Sequence, residues 1–496
     1  MTLLTGTRLS TLQASVLTFL ASGTILVLEI AAARLVAPYV GNSLTTYTSI
    51  IGIILAGIAL GAWAGGRLAD LVGPDRLLGP AFVLGGVAAI GSVPIVAVLG
   101  PQLAGSGAAA SLFLSLAAFA VPTAILAAVA PMIVRATIRD VESSGSLVGR
   151  LSAVGTVGAL IGTFLTGYVL LGALPVRLLI VSTGLLLAVL GVLVALRLAR
   201  GAMSPALALL LALGCALAVV STALGNPCER ESAYFCIAVR EDETGTGRTL
   251  VMDDLRHAHV DLADPRHLEF AYVQWFAIAA AGVVAAGGPV DALHVGGGGF
   301  TFPRYLVDVA PASRHVVLEL DPVVLATARD ELGFEPDERI EVVVGDARQT
   351  IRDVAADSQD LAVGDAFGGR SVPWHLTTQE FVREVDRVLR PDGRYIENVI
   401  DGPALRFAAA ETATLRTVFE HVAVVTWSAA LEGRSGGNVV LIASHRPLDT
   451  ASLLEAVRAR TSGADVLWDP AALDAFVDRA PVLTDDFAPA DQLIGG

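Results

Sequence analysis

Apolar residues come in long unbroken runs over the first part of the chain and in short runs divided by polar turns over the rest, so the period of the pattern changes once. Seven early stretches, at about 13–36, 45–65, 77–99, 110–134, 147–171, 177–195 and 205–224, have the roughly 17 to 25 residues that a helix needs to cross a bilayer. The first is too long, and lacks the small-residue cleavage site that would make it only a signal peptide, so it is expected to stay as an anchor. From 225 to 264 the pattern alternates, with short strands at 234–239, 249–253 and 257–261 around the polar turn Asp242-Glu243-Thr244-Gly245-Thr246-Gly247. An apolar segment at 270–288 contains Gln274 and follows Asp264, Arg266, His267 and Glu269, which favours a helix buried on a sheet over an eighth span. After Asp291, strand patterns at 292–295, 315–320, 340–344, 361–365, 395–399, 422–427 and 439–443 alternate with helical ones, the signature of a parallel sheet covered on both faces. The fold class expected is an N-terminal all-α transmembrane bundle of about seven spans, residues 1–225. It is followed by a small β appendage, 226–265, and by an α/β doubly wound, Rossmann-like domain, 266–496.

Composition sharpens the membrane half. A mean hydropathy of +0.66 with 54% apolar and only 16% charged residues is too greasy for one soluble globule. Charge is sparse before 222, and most of the acidic excess behind the net −15 lies after Asn226, which excludes a nucleic-acid partner: phosphate contact needs clustered cations. All 33 basic residues are arginine, so Schiff-base chemistry and a Walker-type phosphate loop are excluded as well. The even loops hold Arg67, Arg76, Arg135, Arg139, Arg150, Arg197 and Arg200, whereas the odd loops hold only Arg34 and Arg177. This bias sets the N-terminus, with Arg8, in the cytoplasm of a multi-pass cell-membrane protein, and with seven spans it sets the C-terminal domain outside. Gly57, Gly61 and Gly65 repeat every four residues and suit close helix packing. Glu29, the one carboxylate deep in a span, needs a partner or a wet cavity, and Arg34 is the candidate partner. The run Gly66-Arg67-Leu68-Ala69-Asp70, with Gly73 and Arg76, looks like the loop after the second helix of major-facilitator transporters, although no second six-helix half follows.

Cys228 and Cys236 lie close enough for a disulfide, and as free thiols they would fit no familiar zinc spacing; both readings stay open, and no metal ligand set is expected. Candidate chemistry sits at successive strand ends. Gly296-Gly297-Gly298-Gly299 permits a tight turn and close approach of a ligand to backbone amides. Glu319 ends the next strand, where a carboxylate accepts both hydroxyls of a ribose. Asp321 suits the same region or a plain helix N-cap. Asp346, in Gly345-Asp346-Ala347, stands where an adenine amino group could donate, and Asp365 ends the fourth strand before Ala366-Phe367-Gly368-Gly369.

The ordered set His294-Val295-Gly296-Gly297-Gly298-Gly299, Leu318-Glu319-Leu320-Asp321, Gly345-Asp346-Ala347 and Asp365-Ala366-Phe367 resembles the spermidine synthases, the polyamine aminopropyltransferases. Ser371-Val372-Pro373-Trp374-His375-Leu376-Thr377-Thr378-Gln379-Glu380-Phe381, Leu389-Arg390-Pro391-Asp392-Gly393 and Leu483-Thr484-Asp485-Asp486-Phe487-Ala488-Pro489 continue the likeness over roughly 230–490. The membrane half looks like that of bacterial proteins in which several spans are fused to such a domain. The resemblance implies transfer of an aminopropyl group from decarboxylated S-adenosylmethionine to an amine such as putrescine, with that nucleoside, or S-adenosylmethionine, as co-substrate and no tightly bound cofactor. It assigns Gly296, Gly297, Gly298, Glu319 and Asp346 to the nucleoside, Asp365 to catalysis, and Tyr272, Gln274 and His375 to polar contacts with the amine. The partners implied are a small-molecule amine and the lipid bilayer, with a homo-oligomer also compatible.

Two positions depart from that family. Gly299 and Gly368 stand where acidic residues contact the amine, and each missing charge-assisted contact is worth about 1.5–3 kcal/mol. The sequence therefore supports the nucleoside side more fully than putrescine, and two alternatives follow: a transferase using S-adenosylmethionine on another acceptor, or a non-catalytic, transport-associated membrane protein.

Overall fold

A computed structural model describes residues 9–104, 107–138, 144–198, 204–284, 289–335 and 337–494. It contains two compact units, Met1–Cys236 and Ile237–Gly496. Among the described residues, seven helices are long and apolar enough to cross a bilayer: α1 Thr11–Val40, α2 Leu44–Val72, α3 Pro74–Leu103, α4 Ala108–Thr137, α5 Ser144–Ala173, α6 Val176–Leu198 and α7 Pro205–Ala223. Their starts carry expected signals. Ser10 and Gln13 close a capping box on α1, Ser43 and Ser204 cap α2 and α7, and proline takes the first position of α3 and α7.

Glycine sets the closest contacts of this bundle. A Cβ added at Gly61 would lie 2.0 Å from the Ala124 carbonyl oxygen, and one at Gly65 2.5 Å from Ala128 Cα, so α2 rests on the backbone of α4. Gly61→Val is therefore expected to force these helices apart. The purified chain would lose its monodisperse peak in detergent gel filtration, whereas Gly52→Val, where an added Cβ meets nothing within 4 Å, would keep it.

Polar groups mark the two ends of the bundle. Arg135 pairs with Asp70 at 3.1 Å. Toward the other end, Arg34 donates to the carbonyls of Tyr234 and Ser232, and Arg177 to those of Leu224 and Gly225 at 3.0 and 2.9 Å. Arg34 is thus committed to the segment after α7 and is not the partner of Glu29, a correction to the sequence reading: a guanidinium near a helix end reaches loop carbonyls more cheaply than it reaches back into the bundle. Arg8, Arg139 and Arg200, which entered the orientation count, lie outside the described residues. Cys228 and Cys236 form a disulfide, with Cα atoms 5.0 Å apart.

The second unit opens with antiparallel strands β1 Cys236–Glu241, β2 Gly247–Met252 and β3 Leu255–Asp261, bent by a bulge at Leu250/Val251. Helix α8, Ala271–Ala281, follows and is buried through Trp275, Phe276 and Ala279, as expected for 270–288; Gly288 itself lies outside the described residues. The main sheet contains β4 Asp291–Val295, β5 Arg314–Glu319, β6 Ile340–Val344, β7 Gln359–Gly364, β8 Leu389–Asp401, β9 His421–Trp427, β10 Gly437–Ser444 and β11 Ala464–Leu467, in the order β11-β9-β10-β8-β7-β4-β5-β6.

Strands β4 to β8 pair in parallel, but β8, β10, β9 and β11 pair antiparallel, so the sheet is mixed rather than parallel throughout. The reason is the connection: only residues 428–436 join β9 to β10, too few for a crossover. The four-residue β11 was too short to read from its pattern. Alternation assigns the faces. Tyr395, Val399, Val424 and Leu441 enter one core with Phe381 and Phe407, while Ile396, Val425 and Ile442 enter the other with Trp275, Phe302 and Val457.

Candidate functional site

The glycine turn joins β4 to helix α9, Thr301–Val309, and its backbone needs glycine: Gly296 and Gly298 have φ of +99° and +50°. A Cβ at Gly296 would stand 2.5 Å from the Asp365 carbonyl oxygen, so the turn and the end of β7 touch backbone to backbone. Glu319, at the end of β5, holds the turn from the other side. Its carboxylate accepts from the N–H groups of Gly297 at 2.9 Å, Gly298 at 3.2 Å and Asp321 at 2.8 Å. Burial pushes this carboxyl up, while the three N–H donors pull the other way. Asp321 caps helix α10, Pro322–Glu331, through Val323 N–H at 2.9 Å, which is the plain role weighed for it.

Apolar side chains stay exposed near these strand ends. Leu320 follows β5, Val344 ends β6, and Trp374 lies next to His375. Surfaces of this kind suit a flat apolar group beside a polar sugar. Asp346 accepts from Arg348 N–H at 2.8 Å, and its other oxygen faces His375 Nε2 at 3.4 Å. The Arg348 guanidinium binds Thr378 Oγ1 at 3.0 Å and pairs with Asp485, which also accepts from Thr378 Oγ1 at 2.7 Å. The C-terminal Leu483-Thr484-Asp485 run therefore braces the loop that carries His375. His375 stands with Asp346 and not with the residues around Asp365.

Asp365 follows β7 inside a polar cluster. Asn398 on β8 donates to Oδ1 at 2.9 Å, and Tyr272 on α8 donates to Oδ2 at 3.2 Å. Asn438 on β10 in turn donates to the Asn398 carbonyl oxygen at 3.0 Å. Burial dominates both donors and raises Asp365 to about 6. Tyr272 is driven up by its own burial and by the Asp365 charge. Tyr272, Asn398 and Asn438 line a cavity of about 350 Å³ whose aromatic walls include Phe270, Trp275 and Trp427. A half-buried carboxylate, two fixed donors and a half-aromatic cavity are groups able to hold an amine and take its proton.

Gln274 is not part of this cluster: its amide donates to the Leu268 carbonyl at 2.7 Å, and it lines a separate cavity with Arg394 and Arg460. At Gly299 an added Cβ would lie 2.9 Å from Ala258 Cβ and 3.3 Å from Val260, because β3 packs on the turn. At Gly368 the nearest atom to an added Cβ is 3.7 Å away, so that position is open. Sequence reasoning missed Asn398 and Asn438. The signal was weak: Asn398 follows Glu397 in a strand that carries several charged residues, and Asn438 is the second residue of β10.

Among the described residues, His259, His267 and Glu269 bring ligand atoms within 4.8 Å of one another, a grouping the spacing did not suggest. His267 already pairs with Glu269 at 3.1 Å and His259 meets Thr249 Oγ1 at 3.0 Å, so hydrogen bonding accounts for it.

A family model described as a methyltransferase domain matches residues 293–396. A polyamine aminopropyltransferase of Vibrio vulnificus is 28% identical over 238 residues, covering 46% of this chain and 77% of that protein. Polyamine aminopropyltransferase 2 of Streptomyces coelicolor is 28% identical over 402 residues, covering 74% of this chain and 70% of that protein. That match is longer than the whole Ile237–Gly496 unit and so takes in part of the helical half. The crystal structure of a probable spermidine synthase from Corynebacterium glutamicum is 29% identical and covers 52% of this chain and 95% of that one, with a TM-score of 0.48.

Proposed function

We propose, from the premise that the C-terminal half belongs with the polyamine aminopropyltransferases, that this chain is a membrane-bound transferase moving an aminopropyl group from decarboxylated S-adenosylmethionine to an amine such as putrescine. The observation that carries the reading is Asp365, half-buried beside the glycine turn with its two oxygens held by Asn398 and Tyr272. In this reading Gly296, Gly297 and Gly298 pass the nucleoside close to backbone, Glu319 accepts the ribose hydroxyls and Asp346 the adenine amino group. The amine nitrogen forms a bond to the terminal aminopropyl carbon as the carbon–sulfur bond breaks, the electron pair leaves on sulfur as methylthioadenosine, and the amine proton passes to Asp365. The sulfonium is already a good leaving group, so positioning and proton removal are what these residues have to contribute.

A second reading is favoured by Gly299. With β3 on top of it, a carboxylate at that position is sterically barred, and so a dication loses one anchor that this family normally offers. The match to a methyltransferase-domain model is compatible with another acceptor, or with S-adenosylmethionine itself as donor. We also read the chain as three parts, 1–225, 226–265 and 266–496, with the C-terminal domain outside the cytoplasm. The Cys228–Cys236 disulfide supports that side.

Full-length protein in detergent, given decarboxylated S-adenosylmethionine and a panel of amines, is expected to release methylthioadenosine. Formation of S-adenosylhomocysteine from S-adenosylmethionine instead would favour the second reading. Silence with every donor and amine would leave a binding or transport-associated protein.

A further inference from the structure

Glu29 has no task in the transferase reading. Among the described residues its carboxylate has no hydrogen bond or ion pair, although it lies within α1 and Arg34 is committed elsewhere. An ionised carboxylate at hydrocarbon depth is costly, and such groups take a proton, a cation or a wet cavity.

Helical spacing puts Thr18, Ser22, Ile25 and Glu29 in one row along α1. The first three line a cavity of about 420 Å³, with Leu151, Ser152 and Thr156 of α5 opposite. Thr18 spends its proton on the Ala14 carbonyl at 2.9 Å and Thr156 on Ser152 at 3.1 Å. The lone pairs of these oxygens are what remain for a ligand, so the cavity offers acceptors among apolar walls.

A second, independent observation comes from α5. Its contacts with α1 run in parallel register: an added Cβ would meet Thr18 and Ser22 at Gly155, Phe19 at Gly158 and Gly23 at Gly162. Continued by one turn, that register brings Thr166 beside residue 27, within a turn of Glu29. Thr166 is wholly buried, its hydroxyl has no partner, and it opens the π-helical turn Thr166–Leu170. Such turns interrupt the regular backbone bonds and recur at functional sites.

We infer that Glu29 and this row form a binding site within the helical bundle for an alkylammonium cation, with the ammonium on Glu29 and the hydrocarbon chain in the adjoining cavity. The cavity volume lies in the range of small-molecule sites, roughly 300–1,000 Å³. A donor-only, positively charged head suits a carboxylate and acceptor hydroxyls, and an apolar body suits the walls. This site is separate from Asp365 and stands or falls without the transferase reading.

Dicyclohexylcarbodiimide, which modifies protonated carboxyls in apolar surroundings, tests it on the full-length protein in detergent, with the modified peptide identified by mass spectrometry. Glu29 is expected to be labelled, and hexylamine or butylamine at about ten times its Kd is expected to slow labelling roughly tenfold. Potassium chloride at equal ionic strength is expected to leave the rate unchanged, and Glu29→Gln to remove the labelled peptide. An unlabelled Glu29, a rate indifferent to either amine, or equal protection by potassium would each overturn the site. None of these readouts uses methylthioadenosine release, so failure here and failure of the transferase reading are distinguishable.

Discussion

Asp365→Asn is expected to lower turnover by roughly 10²–10⁴-fold, the usual contribution of a positioned base, while the binding of methylthioadenosine changes little. The substitution is nearly isosteric. The asparagine carbonyl can still accept from Asn398, and the Tyr272 hydroxyl can turn to accept from the new amide, so the cluster keeps its shape without its charge. A merely structural Asp365 would instead show a shifted melting temperature and weakened nucleoside binding with turnover intact. The pH profile separates the cases further. Burial raises Asp365 to about 6, and the base works only when ionised, so wild-type kcat is expected to fall as pH drops through about 6. The variant would lack that limb. A continuous assay of methylthioadenosine between pH 5 and 8 reads both results.

What the sequence disclosed and what it withheld follow from the range of each interaction. Span lengths, the glycine turn and the carboxylates at strand ends depend on neighbours in the chain or on a regular period, and these were legible. Glu319 is an example: its place some twenty residues after the glycines fixed its strand end, although its grip on the N–H groups of Gly297 and Gly298 was not foreseen. Partners were a different matter. Arg34 was read toward Glu29 because the two are near in sequence, whereas its real acceptors are the carbonyls of Ser232 and Tyr234. Tyr272 and Gln274 looked equivalent at a spacing of two, yet the turn of α8 sends one to Asp365 and the other to a different cavity. Gly299 is the clearest case. The missing carboxylate could be seen in the sequence, but its physical cause, the packing of Ala258 on the turn, needed the three-dimensional arrangement.

Within the C-terminal unit lies a pair of acids whose titration is expected to govern stability. Glu397 on β8 and Glu411 on helix α11, Arg406–Leu415, are both buried, and among the described residues no N–H or alcohol donor reaches either Glu411 oxygen. Burial pushes Glu397 up to about 8, and burial together with its neighbour's charge drives Glu411 well above its ordinary value. Two such carboxyls favour sharing at least one proton. In the unfolded chain both would titrate near 4.5, so the fold binds more protons than the unfolded state between that pH and about 8. Their contribution to stability is therefore complete below about pH 4.5 and is lost progressively as pH rises through 8. Glu411→Gln supplies a neutral amide that donates to Glu397 and removes one of the two titrations. It is expected to raise stability at pH 8 by on the order of 1–3 kcal/mol, roughly 2–10 °C in Tm for a domain of this size, with little gain at pH 5. Melts of the full-length protein followed by the fluorescence of Trp275 and Trp427, which pack edge to face in the same domain, would read it. An equal shift at both pH values would mean that packing rather than proton sharing sets the effect, and a lowered Tm at pH 8 would mean that the charged pair is tolerated in the core.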